Sequence, residues 1–273
     1  MEHAKGLSAR DVAGRLGSRF GALCFEAEGH KYYFNDDDCA LISATSFVHS
    51  LQPPFEADSV AGMTAFRQGR AKSEILEEWA FKNDFSKALG SWIHKIMEIG
   101  IRDFMAGSET DYSQFMDDIP KAGRKRALKT AGNAVRLMES VLEDWEPAGI
   151  EFKVFDLDCR LGKDEEGRDR RLAGTVDALL RSRKTGEFQI FDWKTSEKLR
   201  SKGFGKKMLK PFKDLESCNV NEYRLQLSLY KEVLERSGIC EIAGLKLGHV
   251  TDSGWNLADI EAIPLKGRID GWD

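Results

Sequence analysis

The chain has 273 residues, 41% of them hydrophobic and 32% charged, and a formal net charge of −4. That length and apolar content predict one globular domain with a proper core, and the negative balance excludes a protein that binds nucleic acid over its whole surface, so any such affinity must be local. No apolar run approaches the roughly 20 residues that cross a bilayer, and the first residues, MEHAKGLSARDVAGRLG, lack the apolar centre of a secretory signal, so an intracellular protein without a membrane partner is expected.

Cys24, Cys39, Cys159, Cys218 and Cys240 are odd in number and contain no C-x-x-C pair. Reduced thiols are expected, with neither a disulfide framework nor a zinc or iron-sulfur site.

In chain order, Leu23 to Phe34 reads as two short strands turning at Gly29, followed by the acidic loop Asn35 to Asp38. In the following ISATSFVHSL, Ser43, Thr45 and Ser46 suit a helix start. Their hydroxyls serve either as caps or as partners of a phosphate. Pro53 and Pro54 break the chain, and helices are predicted from Asp58 to Phe85, with Ile75, Leu76 and Trp79 on a buried stripe.

A further helix is predicted from near Ser86 to about Met105, burying Ile93, Ile96, Met97 and Phe104. His94, Glu98 and Arg102 stack four residues apart on another face, either as a solvated ion-pair row or with His94 and Glu98 serving a metal. The next helix, about Ile119 to Trp145, carries Lys121, Arg124, Lys125, Arg126 and Lys129. It presents either a solvated face or the flank of a nucleic-acid groove.

Ile150 to Asp158 alternates as a strand, with Glu151 at its start. The run Gly174 to Thr195 then reads as a β-hairpin, with strands Thr175 to Leu180 and Glu187 to Trp193 about the polar turn Ser182 to Gly186. Alternation puts Asp192 and Lys194 on one face, about 7 Å apart, with Phe191 and Trp193 on the other. A turn centred on Lys184 and Thr185 sets Asp177 opposite Asp192, although a slip of one residue turns Asp177 to the wrong face. Two adjacent carboxylates repel unless protonated or bridged, and hard oxygen ligands with an open side suit Mg²⁺ or Mn²⁺.

Beyond Lys194 the chain turns basic through Lys198, Arg200, Lys202, Lys206, Lys207, Lys210 and Lys213. With Gly203 and Gly205 it reads as a mobile loop, able to neutralise a polyanion and to stack Phe204 or Phe212 on bases, or else as plain solvated surface. Asn221 to Gly238 is a helix carrying Gln226 and Tyr230 one turn apart, and strands near Ala243 to Val250 and Asp259 to Leu265 close the sequence.

The ordered set His94, Asp177, Asp192-Trp193-Lys194 and Gln226-Leu227-Ser228-Leu229-Tyr230 resembles the RecB-like exonuclease branch of the PD-(D/E)XK nuclease superfamily. The likeness covers roughly Tyr32 to Leu265 and looks closest to phage-encoded exonucleases and the mitochondrial genome maintenance exonuclease. Val176 stands where the family's proline precedes the first acid, a departure common in that branch.

The resemblance implies an α/β restriction-endonuclease-like core, a central mixed sheet flanked by helices. It implies one nuclease domain over 1–273, with a hairpin and helical elaboration over about 1–85 and the core over about 86–265. Asp177, Asp192 and the Trp193 carbonyl would hold one or two Mg²⁺ or Mn²⁺ ions, with His94 completing or bordering the site. Lys194 would orient the attacking water, Gln226 and Tyr230 would support the site and contact nucleic acid, and Glu98 and Glu151 would be outer ligands. Ser43, Thr45, Lys206 and Lys207 join the DNA-binding set. The partner is DNA, single-stranded or with free ends, and the location is cytoplasm, or host cytoplasm if phage-encoded. The four placed cysteines of iron-sulfur relatives are missing. The contrasting expectation is a catalytically silent nucleic-acid-binding or protein-binding module on the same fold, and a sequence-specific restriction endonuclease has no motif in its favour.

Overall fold

The computed structural model describes residues 6–26, 28–29, 31–35, 39–115, 119 and 123–272. The chain opens with helix α1 (Ala9–Phe20), which the sequence reading missed although a capping box between Ser8 and Asp11 marks its start. The short antiparallel pair β1 (Cys24–Glu26) and β2 (Lys31–Tyr33) follows, then β3 (Leu41–Ser43) and α2 (Ala44–Ser50). The expected acidic loop lies mostly outside the described residues.

Helix α3 (Ala57–Gln68) ends at Gly69 in the left-handed conformation, and α4 (Lys72–Ala106) runs unbroken for 35 residues. The helix expected to start near Ser86 therefore begins fourteen residues earlier, at Lys72. Neither Gly nor Pro interrupts residues 72–89, and Gly90 and Gly100 are tolerated inside the packed part of the helix. Phe104, expected in the core, is 49% exposed in the last turn, beyond the reach of the neighbouring helix. Helix α5 (Arg124–Asp144) starts after Gly123 at φ 84, later than expected, and Lys121 lies outside the described residues.

Strand β4 (Trp145–Asp156) follows α5 directly, then β5 (Arg171–Ser182), β6 (Phe188–Lys194), α6 (Asn219–Arg236), β7 (Ile242–Thr251) and β8 (Gly254–Ile260). The last strand ends five residues short of the expected Leu265, because β8 pairs with β7 only from Thr251↔Gly254 to Leu245↔Ile260.

A mixed sheet of six strands runs β3-β5-β6-β7-β8, with β4 beside β5. β4 follows β5 along one edge, from Asp156↔Leu172 to Trp145↔Ser182. The other edge is shared: β3 lies parallel to Arg171–Ala173, and β6 antiparallel to Ala178–Arg181. Gly174, Thr175, Val176 and Asp177 therefore face a notch in which, among the described residues, no strand lies beside that edge of β5. One core joins α1, α2 and α6 to the sheet, and a second packs α4 and α5 on its other side, with Phe191 and Trp193 in it.

Candidate active site

The hairpin has the expected register, Ala178 opposite Phe191 and Arg181 opposite Phe188. Extended by one step it sets Asp177 opposite Asp192, but the ladder stops short of that pair because the strands part at the notch. Side chains use the main-chain groups released there. The Trp193 N–H donates to the Asp177 carboxylate at 2.8 Å, and the Trp193 carbonyl lies 3.0 Å from His94 Nε2.

Glu151 completes a row of acids. In β4, Ile150 pairs with Ala178 and Phe152 with Val176, so Glu151 falls opposite Asp177, and three neighbouring strands each contribute one carboxylate. Its φ of 45 is the left-handed conformation that a residue with a Cβ adopts only at a cost on the order of 1 kcal/mol. Such strain persists where surrounding groups hold it, and here the holding group is His94 Nδ1, 3.3 Å from Glu151 and 3.5 Å from Asp177.

Both His94 ring nitrogens face acceptors, a carboxylate and a carbonyl, an arrangement that favours the doubly protonated ring. Burial opposes that charge, yet Asp177 and Glu151 hold the imidazole pKa up at about 9. Burial raises Asp177, with Glu151 adding to it and His94 working against it. Asp192, 2% exposed, is pushed up to about 6 by burial, with Lys194 pulling down and Asp177 pushing up. Lys194 Nζ sits 2.7 Å from Asp192 and 5.1 Å from the centre of the Tyr223 ring. Burial works against its charge, but the two aspartates raise its pKa above the ordinary lysine value.

Beneath this layer Tyr230 is 3% exposed, and its ring packs so closely on Gly174 that a Cβ there would stand 2.6 Å from it. The Gln226 amide donates to the Tyr230 hydroxyl at 3.3 Å. Tyr230 is thus buried under the site, where the resemblance implied a contact with nucleic acid, whereas Gln226 is half-buried. Across the notch, the Tyr32 and Thr175 hydroxyls lie 2.9 Å apart.

Among the described residues, one donor atom each from His94, Glu151 and Asp177 lie within 4.8 Å of one another. Glu151, expected as an outer group, thus stands with His94 and Asp177, while the Asp192 carboxylate is taken up by Lys194. The pairing of β4 with β5 decides this, and no short-range pattern encodes it. Glu98 pairs instead with Arg102 at 2.9 Å, the solvated row.

Ser43 caps α2, accepting from the Ser46 N–H at 2.9 Å and donating to its hydroxyl at 2.8 Å. Thr45 is half-buried in the same 7-residue helix. Lys206 and Lys207 lie on the loop expected to be mobile, which is tied to the body at several points. Met208 and Phe212 are buried, so Phe212 has no face free for a base, and main-chain bonds join Lys206 to Ser217 and Met208 to Leu215.

Sequence reasoning missed Tyr223 and Tyr32. Tyr223, Gln226 and Tyr230 follow i, i+3, i+7 on α6, a spacing that would have found the first. Tyr32 carried no signal.

A protein-family model for the PD-(D/E)XK nuclease superfamily matches residues 69–252, which include the site. The chain belongs to the PD-(D/E)XK nuclease superfamily. That superfamily implies a nuclease acting on nucleic acid and typically using divalent metal. The clustered imidazole and carboxylates suit such an ion, which would relieve the repulsion between the carboxylates. Of solved structures, the chain is similar to one titled "Crystal structure of SSO0001", at 13% identity over 63% of this chain and 67% of that one, with a TM-score of 0.28. No curated protein matches the sequence. Among the described residues of this PD-(D/E)XK nuclease, no helix is long and apolar enough to cross a membrane.

Proposed function

We propose that this nuclease is a Mg²⁺- or Mn²⁺-dependent DNA exonuclease of the RecB-like branch, acting from free single-stranded ends as one domain. The observation that carries the reading is the meeting of Glu151, Asp177 and Asp192 from three adjacent strands with His94 above them and Lys194 beside Asp192. Asp177, Asp192, the Trp193 carbonyl and His94 would hold the metal, with Glu151 close enough to join or orient them. When bound, the ion lowers the pKa of water and neutralises charge on the phosphate oxygens.

The protein's own groups supply the rest. Trp193 N–H fixes the Asp177 carboxylate, and the Tyr223 ring and Asp192 hold the Lys194 ammonium where it can orient a water or stabilise a phosphate oxygen. No residue is required as a covalent nucleophile.

The test compares linear with covalently closed circular single-stranded DNA in Mn²⁺. Wild type should digest the linear form and spare the circle, and equal cutting of both would remove the end-dependence. Lys194→Ala should bind linear DNA nearly as well yet cleave it slower by about two orders of magnitude at saturation, the scale of one positioned catalytic group. A wild-type rate for that variant would move the active site away from this hairpin, and no cutting by wild type would favour the silent module.

A further inference from the structure

Two residues past Lys194, at Ser196, opens a groove of about 610 Å³ whose walls carry Lys198, Arg200, Lys202 and Lys206 against two acids, Glu197 and Glu222. Among the described residues none of these four cations is paired with a carboxylate. The wall is rigid: Asn219 accepts from the Arg200 N–H at 2.7 Å and donates to the Lys198 carbonyl at 2.8 Å, and Gly203 N–H donates to Glu216 at 2.5 Å.

At the lip stands Phe204, 87% exposed. It is the first of two central residues in a turn closed by the Lys206 N–H on the Gly203 carbonyl at 3.0 Å, with φ of 50 at Phe204 and 85 at Gly205. Turns with two positive φ values favour Asn, Asp or Gly at that position, not an aromatic ring. Neither backbone preference nor burial accounts for this phenylalanine. The turn itself has no slack, since a Cβ on Gly203 would stand 2.6 Å from the Lys206 carbonyl and 2.7 Å from that of Ser217.

We infer that Phe204 is a nucleobase-stacking platform that, with the cationic groove behind it, grips an unpaired DNA strand leaving the active site. The ring meets the π-face of a base, which only an unpaired strand presents freely, while the four cations track the phosphates. The hydrogen-bonded turn holds the backbone that carries the ring, so little main-chain ordering is lost on binding. The inference rests on the nuclease reading and adds to it the residue that selects single strands.

Fluorescence anisotropy in EDTA, where metal-dependent cutting is suppressed, tests it with a labelled oligothymidylate and a duplex of equal length. Phe204→Ala should weaken single-strand binding about tenfold, within the range of one base–aromatic stack, and duplex binding less than twofold. Phe204→Leu should behave like the alanine variant, and Phe204→Trp should bind within about twofold of wild type. Because the ring is exposed, all three variants should unfold at or above the wild-type temperature. Equal single-strand binding by Phe204→Ala and wild type, equal losses on both DNAs, or failure of tryptophan to rescue would overturn the platform while leaving the nuclease reading intact. Wild type that binds neither DNA would overturn both.

Discussion

At the scale of single residues, the site is a cluster of charges in which each group sets the protonation of its neighbours. His94 stands between Glu151, Asp177 and the Trp193 carbonyl, where a positive ring offsets the repulsion of the carboxylates. Its pKa, raised to about 9 from an ordinary 6.5, makes the folded protein hold a proton that the unfolded chain releases near neutrality. The stability this contributes is fully present below about pH 6.5 and disappears as pH rises through about 9. Metal-free protein should therefore show its urea midpoint falling between pH 7 and 9.5, and Glu151→Gln, which removes one partner of the imidazolium, should flatten that slope. A midpoint that stayed level in wild type would mean His94 is neutral at pH 7.

At the scale of elements, what makes the site is the sharing of one β5 edge between β3 and β6. The gap between them leaves Asp177 without a strand neighbour on that side and admits the Tyr230 ring against Gly174. Gly174→Ala puts a methyl 2.6 Å from that ring, backed by core residues that cannot yield freely. It should cost about 1 to 3 kcal/mol of unfolding free energy, the usual scale of overpacking, and lower activity with it by lifting the floor under Asp177. Urea denaturation monitored alongside DNA digestion checks this, and a fully stable, fully active variant would show that Tyr230 moves aside without consequence. Helix α4 acts at the same scale: because it runs unbroken, the helical elaboration and the His94 turn share a single rigid rod.

Over the whole molecule, a net charge of −4 leaves no general attraction for a polyanion, so affinity for nucleic acid has to come from local basic segments, of which the stretch after Lys194 adjoins the site. That stretch is bound to the body by main-chain hydrogen bonds and by the buried Met208 and Phe212, which anchor the backbone that carries its cations. Replacing Lys206 and Lys207 together with alanine should weaken single-strand binding and reduce the slope of log affinity against log salt by about 1.4, at about 0.7 for each phosphate no longer neutralised. An unchanged slope would place the phosphates elsewhere.

The sequence alone determined what short-range patterns can encode: the α/β class, the hairpin and its register, and the helix bearing Gln226 and Tyr230. Each of these depends on alternation, helical period or turn chemistry within a few residues, and the family likeness rested on the order of such segments. Glu151 shows where that reach ends. Only the long-range pairing of β4 with β5 sets it opposite Asp177, and only the approach of α4 brings His94 onto both acids. The burial of Tyr230 and Phe212 and the rigidity of the basic loop were likewise decided by packing between segments distant in sequence. No local pattern records which neighbour will cover a ring.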